Sequence, residues 1–164
     1  MRKGFPLLII VVLLTSCLKQ EDFPNRPDIE YVGFFPNLNA TSKADSVGFV
    51  RFNFTDGDGD LGLDDSDNQG QFAMGEPYEF NLFVRYFERQ NGNFVQVIPP
   101  GEINVRFKRL KSETGNGSIQ GSMDVRTYLS SASPFDTVRF EMYIVDRALN
   151  HSDTLVTEDL IFDF

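Results

Sequence analysis

Tryptophan is absent from these 164 residues, and cysteine and histidine occur once each, as Cys17 and His151. A single cysteine excludes an intramolecular disulfide. With one histidine beside it, the four-ligand Cys/His sets of structural zinc sites cannot be assembled either. There is no Gly-x-Ser-x-Gly elbow and no phosphate-cradling glycine loop ahead of a helix. His151 sits in a turn-like stretch, where a solvated or capping role fits better than that of a base. Basic residues are also short, 15 against 24 acidic, for a formal charge of −9. That balance argues against nucleic acid and anionic lipid surfaces as partners. No segment carries an apolar face of helical period, and the one long apolar run, Phe5 to Leu14, is shorter than the roughly 20 residues of a membrane span.

What is present begins with that run. Arg2 and Lys3 precede it and Thr15-Ser16-Cys17 follows it. A basic n-region, a short apolar h-region and small residues before a cleavage point describe an export signal. Residues 1–16 are therefore expected to be removed. Taking Arg2 and Lys3 from the 15 basic residues leaves 13 against 24 acidic, a charge of −11 on the mature chain. Residues 17–28, with Pro24 and Pro27 among charges, read as an extended tether, and residues 29–164 as one domain.

Within the domain the apolar period is two. Ile29 to Phe34, Val47 to Phe54, Phe80 to Phe87, Phe94 to Ile98, Ile103 to Leu110, Ser118 to Val125, Val138 to Ile144 and Leu155 to Phe162 are the predicted strands. Asn91-Gly92 between two of them is a strong hairpin signal. Seven or eight short strands in about 135 residues predict an all-β fold, an immunoglobulin-like (Greek-key) β-sandwich of antiparallel strands. With no tryptophan or disulfide to fill the centre, the 17 phenylalanines are expected to supply a Phe-rich core.

Phe54-Thr55-Asp56-Gly57-Asp58-Gly59-Asp60-Leu61-Gly62 stands out. Glycines between the carboxylates let the backbone fold tightly, so Asp56, Asp58 and Asp60 can converge. Anions held that close repel one another, and a hard divalent cation with oxygen ligands removes the conflict; calcium, structural in role, fits better than magnesium. Asp56, Asp58 and Asp60 match positions 1, 3 and 5 of an EF-hand loop. Leu61, however, takes the glycine position, Asp67 the glutamate position, and strands rather than helices flank it. The competing reading is a solvated acidic turn, since Asp and Gly are common turn residues. In a sandwich of this kind the loops after Phe54 and Val145 emerge at one end, which adds Asp146, with Asn150 beside it, to the expected ligand set.

Several short motifs carry resemblances. Leu14-Thr15-Ser16-Cys17 resembles the bacterial lipobox, which implies lipidation of Cys17. Leu18-Lys19-Gln20-Glu21-Asp22 resembles the acidic export tag of Bacteroidota surface lipoproteins. Asp146-Arg147-Ala148-Leu149-Asn150-His151-Ser152 resembles the Asp-x-Ala-Gly-Asn-x-Ser turn of bacterial immunoglobulin-like domains, with Leu149 in place of the glycine. Asp-Ser/Thr-apolar triplets at Ser46, Thr137 and Thr154 resemble Bacteroidota O-glycosylation sites. Together the chain looks like a small Bacteroidota outer-membrane lipoprotein with a cadherin- or immunoglobulin-like domain. The resemblance implies fold and location, namely lipid anchoring in the outer membrane, facing the exterior, with the periplasmic face as the alternative. The acidic loop and the lack of a catalytic motif then lead to the expectation of a calcium-stabilised binding or adhesion module rather than an enzyme. An accessory subunit of a glycan-uptake or secretion complex is the alternative, and a hydrolase using the acidic loop the weakest. The partner would be a glycan or an envelope protein; Tyr78, Tyr86, Tyr128 and Tyr143 are the candidate exposed aromatics for a glycan. Replacing Cys17 with Ser is expected to abolish palmitate incorporation and to move the mature domain into the soluble fraction, read by metabolic labelling and fractionation; unchanged membrane association would refute the anchor.

Overall fold

In the computed structural model, residues 23–38, 45–112, 117–128 and 133–162 are described, and the expected signal and the first half of the tether, Cys17 included, lie outside them. So do the side chains of Ser46 and Tyr128. Eight strands follow one another as β1 (Asp28–Leu38), β2 (Asp45–Asp56), β3 (Leu82–Gln90), β4 (Asn93–Val97), β5 (Ile119–Tyr128), β6 (Thr137–Ile144), β7 (Leu155–Val156) and β8 (Leu160–Ile161). No α-helix occurs among the described residues; a single 3₁₀ turn spans Gly70–Phe72. One sheet orders its strands β1-β2-β5 and the other β4-β3-β6-β7, with β8 also paired to β6. All these pairings are antiparallel. This is the strand order A-B-E and C′-C-F-G of the immunoglobulin plan, so the predicted fold class is the observed one.

Alternation decides which side chains meet between the sheets. β3 and β6 each bury every second residue, so Leu82, Val84 and Tyr86 face Val50, Phe52 and Val125 across the sandwich with Phe140, Met142 and Ile144. Fully burying a large apolar side chain contributes about 1.5–3 kcal/mol. The core is not Phe-rich, however. Only Phe52, Phe54, Phe140 and Phe162 are among its buried members, which are mostly Val, Leu and Ile. Several other phenylalanines sit on the outer faces: Phe35 is 43% exposed beneath the Arg51 guanidinium, and Phe94 lies under Arg139. The hairpin is as expected, with Gln90 paired to Asn93 and both Asn91 and Gly92 at positive φ.

Two predicted strands differ. Ile103 to Leu110 is not a strand; Val105 makes one isolated bridge to Leu82. Its apolar residues do pack on the core, which is why the alternation is there. Its backbone is satisfied by scattered bonds to Leu61, Leu63 and Leu82 and by side chains instead of a ladder. Buried Asn81 donates from Nδ2 to the Phe107 carbonyl at 2.9 Å and accepts the Phe107 N–H at 2.8 Å, and Asn104 Oδ1 accepts the Val84 N–H. Leu155 to Phe162 is likewise broken into β7 and β8. Between them Thr157 replaces a ladder step, its Oγ1 accepting the Phe140 N–H at 3.1 Å.

The long polar loop before β3 is held by Arg106. Its guanidinium donates to the carbonyls of Asp64, Asp67, Phe72 and Glu79, so one side chain gathers four points of residues 64–79. Hydrogen bonds from a charged group contribute about 1.5–3 kcal/mol each when buried. Arg106→Met keeps the apolar stem and removes every donor. It is expected to speed cleavage by a chymotrypsin-like protease within residues 64–79 by about tenfold or more, with a smaller fall in global stability. A cleavage rate equal to that of the unaltered chain would show that the clamp holds nothing.

Candidate metal centre

The pleat of β2 places the first carboxylate. Phe52, Phe54 and Asp56 share one face of the strand, so the side chain that follows two core phenylalanines is carried inward at the end of the sandwich; Asp56 is fully buried. The chain then turns sharply through Gly57 and Gly59. A Cβ on Gly59, at φ 65°, would lie 1.7 Å from the carbonyl oxygen of Gly117. On Gly57 it would lie 2.1 Å from that of Phe23. Close backbone approach therefore requires glycine at both positions, and the left-handed backbone requires it at Gly59 as well. Leu61 and Leu63 plug the far side of the loop into the domain, and the Leu110 N–H donates to Leu61 and the Leu63 N–H to Phe107.

Within this turn Asp56, Asp58 and Asp60 each offer a carboxylate oxygen, all within 4.8 Å of one another. Opposite ligands of a calcium ion at about 2.4 Å are themselves about 4.8 Å apart, so the spacing suits such an ion. The hydrogen bonding is lopsided. Asp56 Oδ2 accepts the Asp60 N–H at 2.9 Å and Asp60 Oδ2 accepts the Ala148 N–H at 3.0 Å. Asp56 Oδ1 and Asp60 Oδ1 are buried with no hydrogen-bond partner among the described residues. Leaving a buried charged acceptor unsatisfied is costly, so these two oxygens are the ones a cation would take.

Burial first, then the negative charges of Asp58, Asp60 and Asp146, push the Asp56 carboxyl up to about 7. Asp60 is raised by burial and then by Asp146 and Asp58, with the Ala148 N–H opposing. Asp146 is thus close to the cluster, as the shared end of the two loops requires. It is not one of the three converging ligands, however. Nearly fully buried, it closes its own turn, accepting the Asn150 N–H at 2.7 Å and Asn150 Nδ2 at 2.8 Å. Leu149 takes the left-handed backbone that a glycine would normally supply, at φ 67°. Asp67 is engaged elsewhere, pairing with Arg147 at 2.9 Å and accepting the Asp64 N–H, so the EF-hand register has no counterpart here.

The remaining candidates are dispersed. Thr137 is buried and its hydroxyl donates to Asp136, so a glycan there would have to be added before the domain closes; Thr154 is exposed. Tyr86 is buried and donates to Glu88, which removes it from the exposed aromatics. Tyr78 and Tyr143 are half-buried in a cluster that the sequence reading missed. Phe83 stacks on Tyr143 at 4.9 Å, His151 stacks on Tyr143 at 5.5 Å, and Tyr78 shares a hydrogen bond with His151 Nε2. The Phe83–Tyr143 cross-strand register could have revealed the pairing only once β3 and β6 were known to be neighbours. Compared with known proteins, the chain matches no family model, no curated protein and no solved structure.

A carboxyl whose pKa is higher in the fold than its ordinary 3.8 favours folding while protonated, and that contribution is lost as pH rises through about 7. In chelator, the melting temperature is therefore expected to fall between about pH 5.5 and pH 8, and Asp56→Asn to flatten the fall. A chelated protein equally stable at both ends of that range would contradict the electrostatics of the cluster.

Proposed function

We propose that this chain is a non-enzymatic, lipid-anchored protein of a bacterial cell envelope whose immunoglobulin-like domain is a calcium-stabilised binding or adhesion module. The observation that carries the metal reading is the pair of buried, unpartnered oxygens, Asp56 Oδ1 and Asp60 Oδ1, beside the carboxylate of Asp58. Support for the anchor is the run ending Leu14-Thr15-Ser16-Cys17, together with the absence of any second cysteine. Calcium at Asp56, Asp58 and Asp60, with Asp146 just behind, offsets four carboxylates where the loops of the two sheets meet. Its role is to stabilise that end of the fold, and no substrate step is assigned to it.

Extracellular modules bind calcium at about 10⁻⁴–10⁻³ M. At ten times that dissociation constant, linkage adds about 1.4 kcal/mol, or roughly 5 °C in melting temperature for a domain of this size. Wild type is expected to lose that increment in chelator. Asp58→Asn, at an exposed ligand that leaves the core intact, is expected to respond to calcium far less. No response of wild type at millimolar calcium would make the loop an acidic turn and end the metal reading.

A further inference from the structure

We infer that the domain is mounted with its metal-binding end toward the membrane, held there by the segment Phe23–Pro27. The inference rests on the lipid anchor at Cys17. Residues 17–28 read in sequence as a free tether, yet from Phe23 onward the chain is part of the domain. Pro27 is fully buried, and the Pro24 carbonyl accepts the Gly57 N–H at 2.8 Å, directly on the acidic loop. Arg26 reaches the other loop at the same end, donating to the His151 carbonyl at 2.6 Å and pairing with Asp153. The strap thus joins both loops of the metal end before β1 leads away from it.

Only five residues, Leu18 to Asp22, lie between Cys17 and Phe23, and the six steps from one to the other reach at most about 20 Å even when extended. β2 alone, at 12 residues, is about 40 Å long and runs from the opposite end to Asp56. A domain strapped in this way cannot turn its acidic end away from the lipid to which Cys17 is attached. The far end, with the Asn91-Gly92 hairpin and the start of β6, is left facing outward for partners. A buried, cation-neutralised carboxylate cluster at the membrane side fits this mounting, because the junction that carries the anchor is then the junction the metal stiffens.

The test uses the full-length chain, processed and acylated in cells, purified and reconstituted into vesicles carrying an acceptor-labelled phospholipid. Single thiols for a donor dye are introduced by Lys108→Cys, exposed beside the acidic loop, or Asn93→Cys, exposed at the far hairpin. Energy transfer to the lipid is expected to be at least about threefold greater from position 108 than from position 93, given a tether of about 20 Å against a domain of about 40 Å. Inserting twenty Gly/Ser residues between Asp22 and Phe23 is expected to preserve flotation with the vesicles and bring the ratio close to one. Equal transfer from the two positions without the insert, or more from position 93, overturns the orientation while leaving the anchor intact. A ratio unchanged by the insert overturns the role of the strap. Failure of the unaltered chain to float overturns the anchor reading and the inference with it.

Discussion

Like charge buried at the end of a sandwich is the constraint to which the rest of this structure answers. Asp56, Asp60 and Asp146 are all withdrawn from water within reach of one another, and Asp58 stands at the surface beside them. Backbone N–H groups meet one oxygen each on Asp56 and Asp60, the second of them from the opposite sheet's loop at Ala148. That cross-loop bond and the two orphaned oxygens belong to one arrangement. The donors partly offset the repulsion between the loops, and the two oxygens left over could hold a cation.

Around this end the fold tolerates long irregular segments because buried polar side chains stand in for missing ladders. Asn81 closes two bonds with Phe107, Ser152 accepts the Ile144 N–H and Thr157 the Phe140 N–H, at the places where strands stop or break. Each is buried and each is satisfied, which is the condition under which polar groups in a core do not destabilise it. Arg106 does for the loop of residues 64–79 what these do for strands. Salt bridges from Arg147 to Asp64 and Asp67 then link that loop to the turn after β6.

The outer faces carry a different chemistry. Guanidinium groups lie over phenylalanine rings at Arg51–Phe35 and Arg139–Phe94, and an aromatic stack runs through Phe83, Tyr143 and His151. These give outward-facing rings partners on the surface that their apolar character alone would not suggest. On the five-stranded sheet they make an outer face of rings and ion pairs, Arg85–Glu141 among them.

By itself the sequence determined the class of fold, since period-two runs separated by turn residues bury one face of each strand whatever their order. It also placed the acidic loop at the end of a strand, because Asp56 continues the parity of Phe52 and Phe54. The Asn91-Gly92 hairpin was legible for a local reason too: only residues tolerant of positive φ fit that turn. What tertiary structure alone decided was everything set by neighbours distant in the chain. Ile103 to Leu110 has the alternation of a strand but lies where Asn81 and Leu61 take its hydrogen bonds. Phe35 and Phe94 are surface residues because cations from other strands cover them. The tether ends at Phe23 because Gly57 and Asp153, far along the sequence, hold the strap down. Periodicity reports which face a side chain takes; the partner it finds there depends on which segments the fold brings alongside.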